Sequence, residues 1–164
     1  MEKIKKIRKL IDQFNLNGYL IPKNDEFFSE YTAEYNDNLK HISNFSGSSG
    51  FALIFKKKNY LFVDGRYTLQ AEKQTKKKFE IVTIPAKFPF HILKKKKLNI
   101  GFDPKLHTNS TLNNIFKNTK CKLIPIKENL VKKIRKNKKK PIPKKFFIIH
   151  DKNVGQNKSS KINT

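Results

Sequence analysis

The chain has 164 residues, with 37 Lys and Arg against 13 Asp and Glu, a formal charge of +24 and 37% hydrophobic residues. That length holds one full domain and a tail, and fourteen Phe with five Tyr can supply a core despite the low apolar fraction. The single cysteine, Cys121, excludes an internal disulfide framework and suits a reducing compartment, and no run approaches the roughly 18 apolar residues of a membrane helix.

Residues 2–15 place Ile4, Ile7, Leu10, Ile11 and Phe14 at helical spacing among lysines, which predicts an amphipathic helix packed on a sheet. No apolar stretch accompanies its charges, so it does not read as a signal peptide. Tyr19 to Pro22 is a strand that ends at its proline. Between Asp25 and Asp37 lie five carboxylates in thirteen residues. The glycine and terminal glutamate of a calcium-binding EF-hand loop are missing, so this reads as a solvated acidic loop. Leu39, Ile42 and Phe45, three residues apart, predict a short helix leading into the small-residue loop Ser46 to Gly50.

The stretch from Asn44 to Glu72 is the centre of the chain. Phe51 to Phe55 and Tyr60 to Val63 are apolar runs separated by the polar turn Lys56 to Asn59, which is the pattern of an antiparallel hairpin. Their continuous apolar character places them in a sheet covered on both faces. The Gly-Ser-Ser-Gly loop enters a strand, and no Gly-Lys-Ser/Thr follows it, so it is not a nucleotide-phosphate loop. Ser48 and Ser49 also lack the spacing of a nucleophile elbow. Asp64-Gly65 is a turn signal, after which Arg66 to Lys77 reads as a helix. Turn chemistry with a local ion pair accounts for Asp64 and Arg66 on the residues alone.

Phe79 to Ile84 alternates as a strand, Lys87 to Lys97 contains a short helix, and Leu98 to Phe102 is a further strand. Asp103-Pro104 opens a helix expected to run to about Asn118, and Lys122 to Ile126 is the last strand. Nine of the fourteen residues from Lys132 to Lys145 are cationic and two are proline, which describes a linker. Phe146 to Ile149 reads as a new strand. The fold class is therefore α/β, a mixed central sheet with helices on both faces, followed by a basic C-terminal tail. The expected divisions are a domain over 1–127, a basic proline-containing linker over 128–145, and the start of a second domain over 146–164.

Several of these blocks resemble one family. Ser46-Gly-Ser-Ser-Gly50 followed by Phe62-Val-Asp-Gly-Arg-Tyr-Thr-Leu-Gln-Ala71 is similar to the N-terminal domain of the Xaa-Pro aminopeptidases (aminopeptidase P), within the creatinase-like metallopeptidases. Tyr19 to Pro22, Asn24 to Glu26, Ser29 to Tyr31, Gly101 to Pro104 and Leu123 to Val131 fall in the same family order. The family's usual tryptophan after the Asn-Leu-Val block is replaced by Ile134-Arg135. Gly155 to Ile162 resembles the opening of the second domain of three-domain members. The resemblance implies that Arg66 lies at the rim of the active-site cleft and binds substrate, and that the N-terminal domain contributes to dimerisation. It also implies that two divalent metals, manganese or zinc, sit in a C-terminal catalytic domain. Asp151 is the single acid after Glu128, and His41, His91, His107 and His150 are scattered. No metal site and no catalytic residue are therefore expected in this chain, nor peptide turnover by it alone.

Two functional classes follow. In the first, the chain is the non-catalytic N-terminal domain of a cytoplasmic Xaa-Pro aminopeptidase, working with a catalytic domain encoded separately or lost. In the second, it is a stand-alone basic protein binding nucleic acid or anionic surfaces nonspecifically. Lysine supplies all the cations except Arg8, Arg66 and Arg135. Such a balance matches A/T-rich coding composition better than a sequence-reading nucleic-acid protein, which leans on Arg.

Overall fold

A computed structural model describes residues 2–94, 96–135 and 145–163. It has helix α1 (Glu2–Gln13), strand β1 (Gly18–Pro22), α2 (Asn38–Ser43) and the hairpin β2 (Phe51–Phe55) and β3 (Asn59–Asp64). Then come α3 (Thr68–Thr75), β4 (Glu80–Ile84), α4 (Pro89–Leu93) and β5 (Asn99–Phe102). The unit closes with α5 (Asn109–Phe116), β6 (Lys122–Pro125) and α6 (Leu130–Ile134). The six strands form one sheet in the order β4-β3-β2-β1-β5-β6. Only β2 opposes the others: β3 with β4, and β1 with β5 and β6, all run the same way.

Period-two alternation sorts the strand side chains onto two faces. Tyr19, Ile21, Ala52, Ile54, Leu61 and Val63 join the buried stripe of α1 and the inward residues of α2, α3 and α6. Leu20, Phe51, Leu53, Tyr60 and Phe62 pack on the opposite face against Leu93 of α4 and Leu112 and Phe116 of α5. Phe51 and Phe62, paired across the hairpin, stack with ring centroids 4.6 Å apart. The expected mixed sheet with helices on both faces is thus the observed one, and the hairpin sits at its middle.

Three details differ from the sequence reading. The folded unit does not stop at residue 127: Leu130 and Val131 are 0% exposed and belong to the core. Asn129 starts that last helix by accepting from the Val131 and Lys132 backbone N–H groups, and Arg135 donates to the carbonyls of Tyr35 and Glu34. The lysines around Leu130 and Val131 had hidden a two-residue apolar anchor. Secondly, the helix expected from Asp103 is two pieces. A 3-10 turn, Pro104–Leu106, is capped by Asp103, and the chain extends through His107 before Thr108 caps α5. Thirdly, Phe146 to Ile149 form no strand and are exposed. The rest of the expected linker, 136–144, lies outside the described residues. A short helix, α7 (Lys158–Ile162), stands within the segment that resembles the opening of a second domain.

Candidate functional site

Five strands point their carboxyl ends the same way, so one end of the sheet collects the segments that follow β1, β3, β4, β5 and β6, with the loop entering β2. In α/β proteins this is the end where ligands meet the fold. The segments that follow β1, β3, β5 and β6 in the blocks of the family resemblance lie there, with the small-residue loop.

At its centre Asp64 ends β3 in an extended conformation and turns the chain. Its carboxylate accepts from the Arg66 backbone N–H and from Arg66 Nε, both at 2.9 Å. The side chain of Arg66 is 76% exposed and its guanidinium lies 5.7 Å from the centroid of the Tyr67 ring. Arg66 is thus presented to solvent and, contrary to a free substrate-facing side chain, is ion-paired with Asp64. Each charge favours the other: the arginine holds the Asp64 carboxyl below the usual carboxylate range, and the carboxylate raises the Arg66 guanidinium. The expected helix from Arg66 begins instead as a 3-10 turn, Gly65–Tyr67, because Asp64 caps it before α3 starts.

The small-residue loop and the Asp-Gly-Arg-Tyr segment hold one another. Tyr67 shares a 2.8 Å hydrogen bond with Ser48, and Gln70 and Gln74 both donate to the Ser46 hydroxyl. Phe45 packs its edge against the Tyr67 ring. Gly47 is closed over by the Phe45 ring, so a Cβ there would collide with it. Gly50, at φ +148°, would place a Cβ 2.6 Å from the Phe62 carbonyl oxygen. These contacts explain why two motifs some twenty residues apart in sequence occur together: they form one packed unit carrying Arg66.

Beside that unit is a cleft of about 360 Å³, lined among others by Asn24, Ser49, Asp64, Ile84, His107 and Thr111. His107 is 8% exposed, and neither of its ring nitrogens has a hydrogen-bond partner. Burial pushes its pKa down to about 4, the nearby Asp103 opposing only in part. The sequence reading had treated His107 as one of four scattered histidines. Its signal would have been the position just after the Asp-Pro turn, where the chain straightens into the sheet end.

The acids of this end do not form a metal site. Asp25 accepts from the Phe27 and Ser29 backbones, and Asp37 pairs with Lys23 at 2.6 Å while capping α2. Asp103 receives the Lys105 backbone and, at 2.8 Å, Asn129. These three carboxylates are committed to shaping turns. Among the described residues no three His, Cys, Asp or Glu converge, so the residues present do not fit a pair of divalent ions.

Comparison with known proteins accounts for this arrangement. The family model for the creatinase/prolidase N-terminal domain matches residues 3–136. The chain is 34% identical over 166 residues to "Probable Xaa-Pro aminopeptidase P" of Coprinopsis cinerea, covering 95% of this chain and 27% of that protein. To Xaa-Pro aminopeptidase 1 of Dictyostelium discoideum it is 30% identical over 180 residues, covering 98% and 28%. It therefore spans about a quarter of the length of these curated relatives. The crystal structure of X-prolyl aminopeptidase from Caenorhabditis elegans, described as a cytosolic enzyme with a di-nuclear active site, superposes with a TM-score of 0.70 at 27% identity. That match covers 85% of this chain and 26% of the worm enzyme. The N-terminal domain of peptidase PepQ from Mycobacterium tuberculosis has the same fold, with a TM-score of 0.62 at 22% identity over 82% of this chain and 98% of that one. On fold, motif order and model match together, the chain belongs to the creatinase/prolidase N-terminal domain family.

Proposed function

We propose that this domain forms one wall of the substrate cleft of a Xaa-Pro aminopeptidase, with Arg66 as its substrate-binding residue. The observation that carries the reading is the exposed guanidinium of Arg66, held on a rigid platform at the carboxyl end of the sheet. The Asp64 pair fixes its direction and leaves Nη1 and Nη2 to receive a peptide carbonyl or carboxylate. Two divalent metals, manganese or zinc, would be held by a catalytic domain outside residues 2–135, since no three ligating side chains converge among the described residues. Exposed Phe27, Tyr31 and Leu69 at the same end offer the apolar surface such a domain, or a second copy in a homodimer, would cover. A cytoplasmic setting accords with the free cysteine Cys121.

The test is complementation. The purified chain with manganese should leave an Xaa-Pro peptide intact. Mixing it with the catalytic segment of the Dictyostelium enzyme, itself stripped of its first domain, should restore metal-dependent hydrolysis. Turnover by the chain alone, or no restoration by a complex shown to form, would overturn the proposal.

A further inference from the structure

The opposite end of the sheet has a different chemistry, which the linear sequence disperses. There the turns enter β4, join β2 to β3, and lead into β5 and β6. The first carries Lys76–Lys78, the second Lys56–Lys58, the third Lys94, Lys96 and Lys97, and the fourth Lys117 and Lys120. Strand order sets these four turns along one edge of the molecule. Acids are scarce there: Asp12 pairs with Lys56 at 2.7 Å and Glu80 approaches Lys58 at 3.8 Å. Most of the other acids, the five of the Asp25–Asp37 loop with Asp64, Asp103 and Glu128, belong to the Arg66 end.

The cations converge on concave surface. One groove of about 430 Å³ is lined by Lys5, Arg8 and Lys76–Lys78 with no carboxylate. Arg8 is pinned in it by the Phe55 carbonyl and the Asn59 side chain, both at 3.0 Å, and so keeps its charge unneutralised. A second groove of about 290 Å³ is lined by Lys56–Lys58 and Lys96 together with the apolar Phe55, Tyr60, Ile92, Leu93 and Leu98, and joins the two halves of the row across β1. Lys76 and Lys77 both hold left-handed backbone, at φ 50° and 60°. This turn directs consecutive charged side chains outward where ordinary residues favour Gly or Asn.

We propose that this lysine edge binds the phosphate backbone of nucleic acid without reading its sequence. Six strands about 4.8 Å apart make an edge of about 24 Å, a length of duplex that carries about fourteen phosphates over both strands. Lysine is suited to this task, acting as a point charge on phosphate and carrying no base information. The four turns show no exposed large apolar side chain to enter a lipid interface; exposed Phe27, Tyr31 and Leu69 belong to the other end. Lysines lie at both ends, but the Arg66 end sets eight carboxylates beside its cations, whereas among the described residues the four lysine turns form ion pairs only with Asp12 and Glu80. Nucleic acid and peptide would therefore be handled at opposite ends of the domain, and this inference stands apart from the role of Arg66.

The experiment uses the full chain and a fluorescently labelled 20-base-pair duplex of arbitrary sequence, with anisotropy read across a salt series. A triple variant, Lys57→Gln, Lys77→Asn and Lys96→Gln, takes one exposed cation from each of three turns. A control, Lys87→Gln, Lys105→Gln and Lys127→Gln, removes the same charge at the Arg66 end. The wild-type chain should bind with a steep salt dependence. In the first variant the slope of log K against log salt should fall by roughly 2–3, while the control retains the wild-type slope. Equal losses in the two variants would show that net charge alone binds, and would overturn the proposal. So would tighter binding to phosphatidylserine vesicles or to polyglutamate than to the duplex, or no duplex binding at low salt. Matching circular dichroism melts keep a folding defect from imitating the result.

Discussion

The two ends of the sheet are closed by turns of similar length, yet they are held in different ways. At the Arg66 end the turns are tied by side chains: Asp25, Asp64, Asp103 and Asn129 each accept from backbone N–H groups within their own turn. Asn24 further donates to the Leu106 carbonyl and Asn129 to Asp103, joining segments far apart in sequence. At the lysine end, the charged side chains largely leave the backbone alone and project into solvent. At the first end the charged residues themselves bond the backbone; at the second that task falls to Asn17, which accepts from the Asn99 N–H, and Asn59, which donates to the Lys78 carbonyl, and the lysines are left free of it. Substitution of the residues that accept from the backbone should therefore be costly and local at the first end, and substitution of the exposed lysines at the second nearly free of stability effects but additive in charge.

The largest effect should come from the helix that closes the Arg66 end. Leu130 is fully buried against α1 and α2, so Leu130→Ala should cost about 2–5 kcal/mol in urea unfolding. A loss under about 0.5 kcal/mol would return the domain boundary to residue 127 and detach α6 from the comparison.

Acid should act next. His107, with a folded pKa of about 4, is neutral where an unfolded histidine of about 6.5 is already protonated. The unfolded state thus binds the extra proton between these values, and stability is full above pH 6.5 and falls as pH drops toward 4. His107 accounts for a loss of up to about 3 kcal/mol over that window. Half-buried His41, its pKa lowered to about 4 by burial and by Lys3 and Arg135, adds in the same direction. His107→Leu should leave stability at pH 7 unchanged or higher, because both ring nitrogens are buried without partners. It should also flatten the acid limb. An unaltered limb in that variant would place the acid sensitivity elsewhere.

The smallest effect sharpens the contrast. The lysine-edge triple variant should unfold at the wild-type urea midpoint, since exposed charges with no structural partner seldom alter stability. A clear midpoint shift would mean that the lysines, too, hold these turns.

The same contrast explains what could be read from the sequence. Strands and the hairpin were legible because Leu20, Ala52 to Ile54 and Leu61 to Val63 are apolar on both faces and bounded by turn residues. Arg66 was legible through its Asp-Gly turn and the family blocks around it, several of whose residues make a backbone hydrogen bond or a close packing contact. Its ion pair was legible as the local alternative to the substrate-facing role; the structure shows that pair, with the guanidinium exposed beside it. The Leu130–Val131 anchor was obscured by neighbouring lysines, since two apolar residues give no period. His107 was missed because its burial depends on the break between two helical pieces, a consequence of Thr108 recapping the chain. The lysine edge was visible as runs at 56–58, 76–78 and 94–97, but their common side depends on strand order, which no run contains.

The central claim is that Arg66 faces substrate rather than merely closing its turn. The most direct measurement is peptide hydrolysis by the complemented enzyme with Arg66→Ala, set beside urea unfolding of the same variant. The account predicts an unchanged unfolding midpoint with kcat/KM for an Xaa-Pro peptide reduced at least tenfold, about 1.4 kcal/mol of transition-state binding. Lysine at position 66 should restore only part of it, since a point charge cannot reproduce the guanidinium fork. Wild-type kcat/KM in the alanine variant would contradict the account and leave Arg66 as the ion-paired end of a turn.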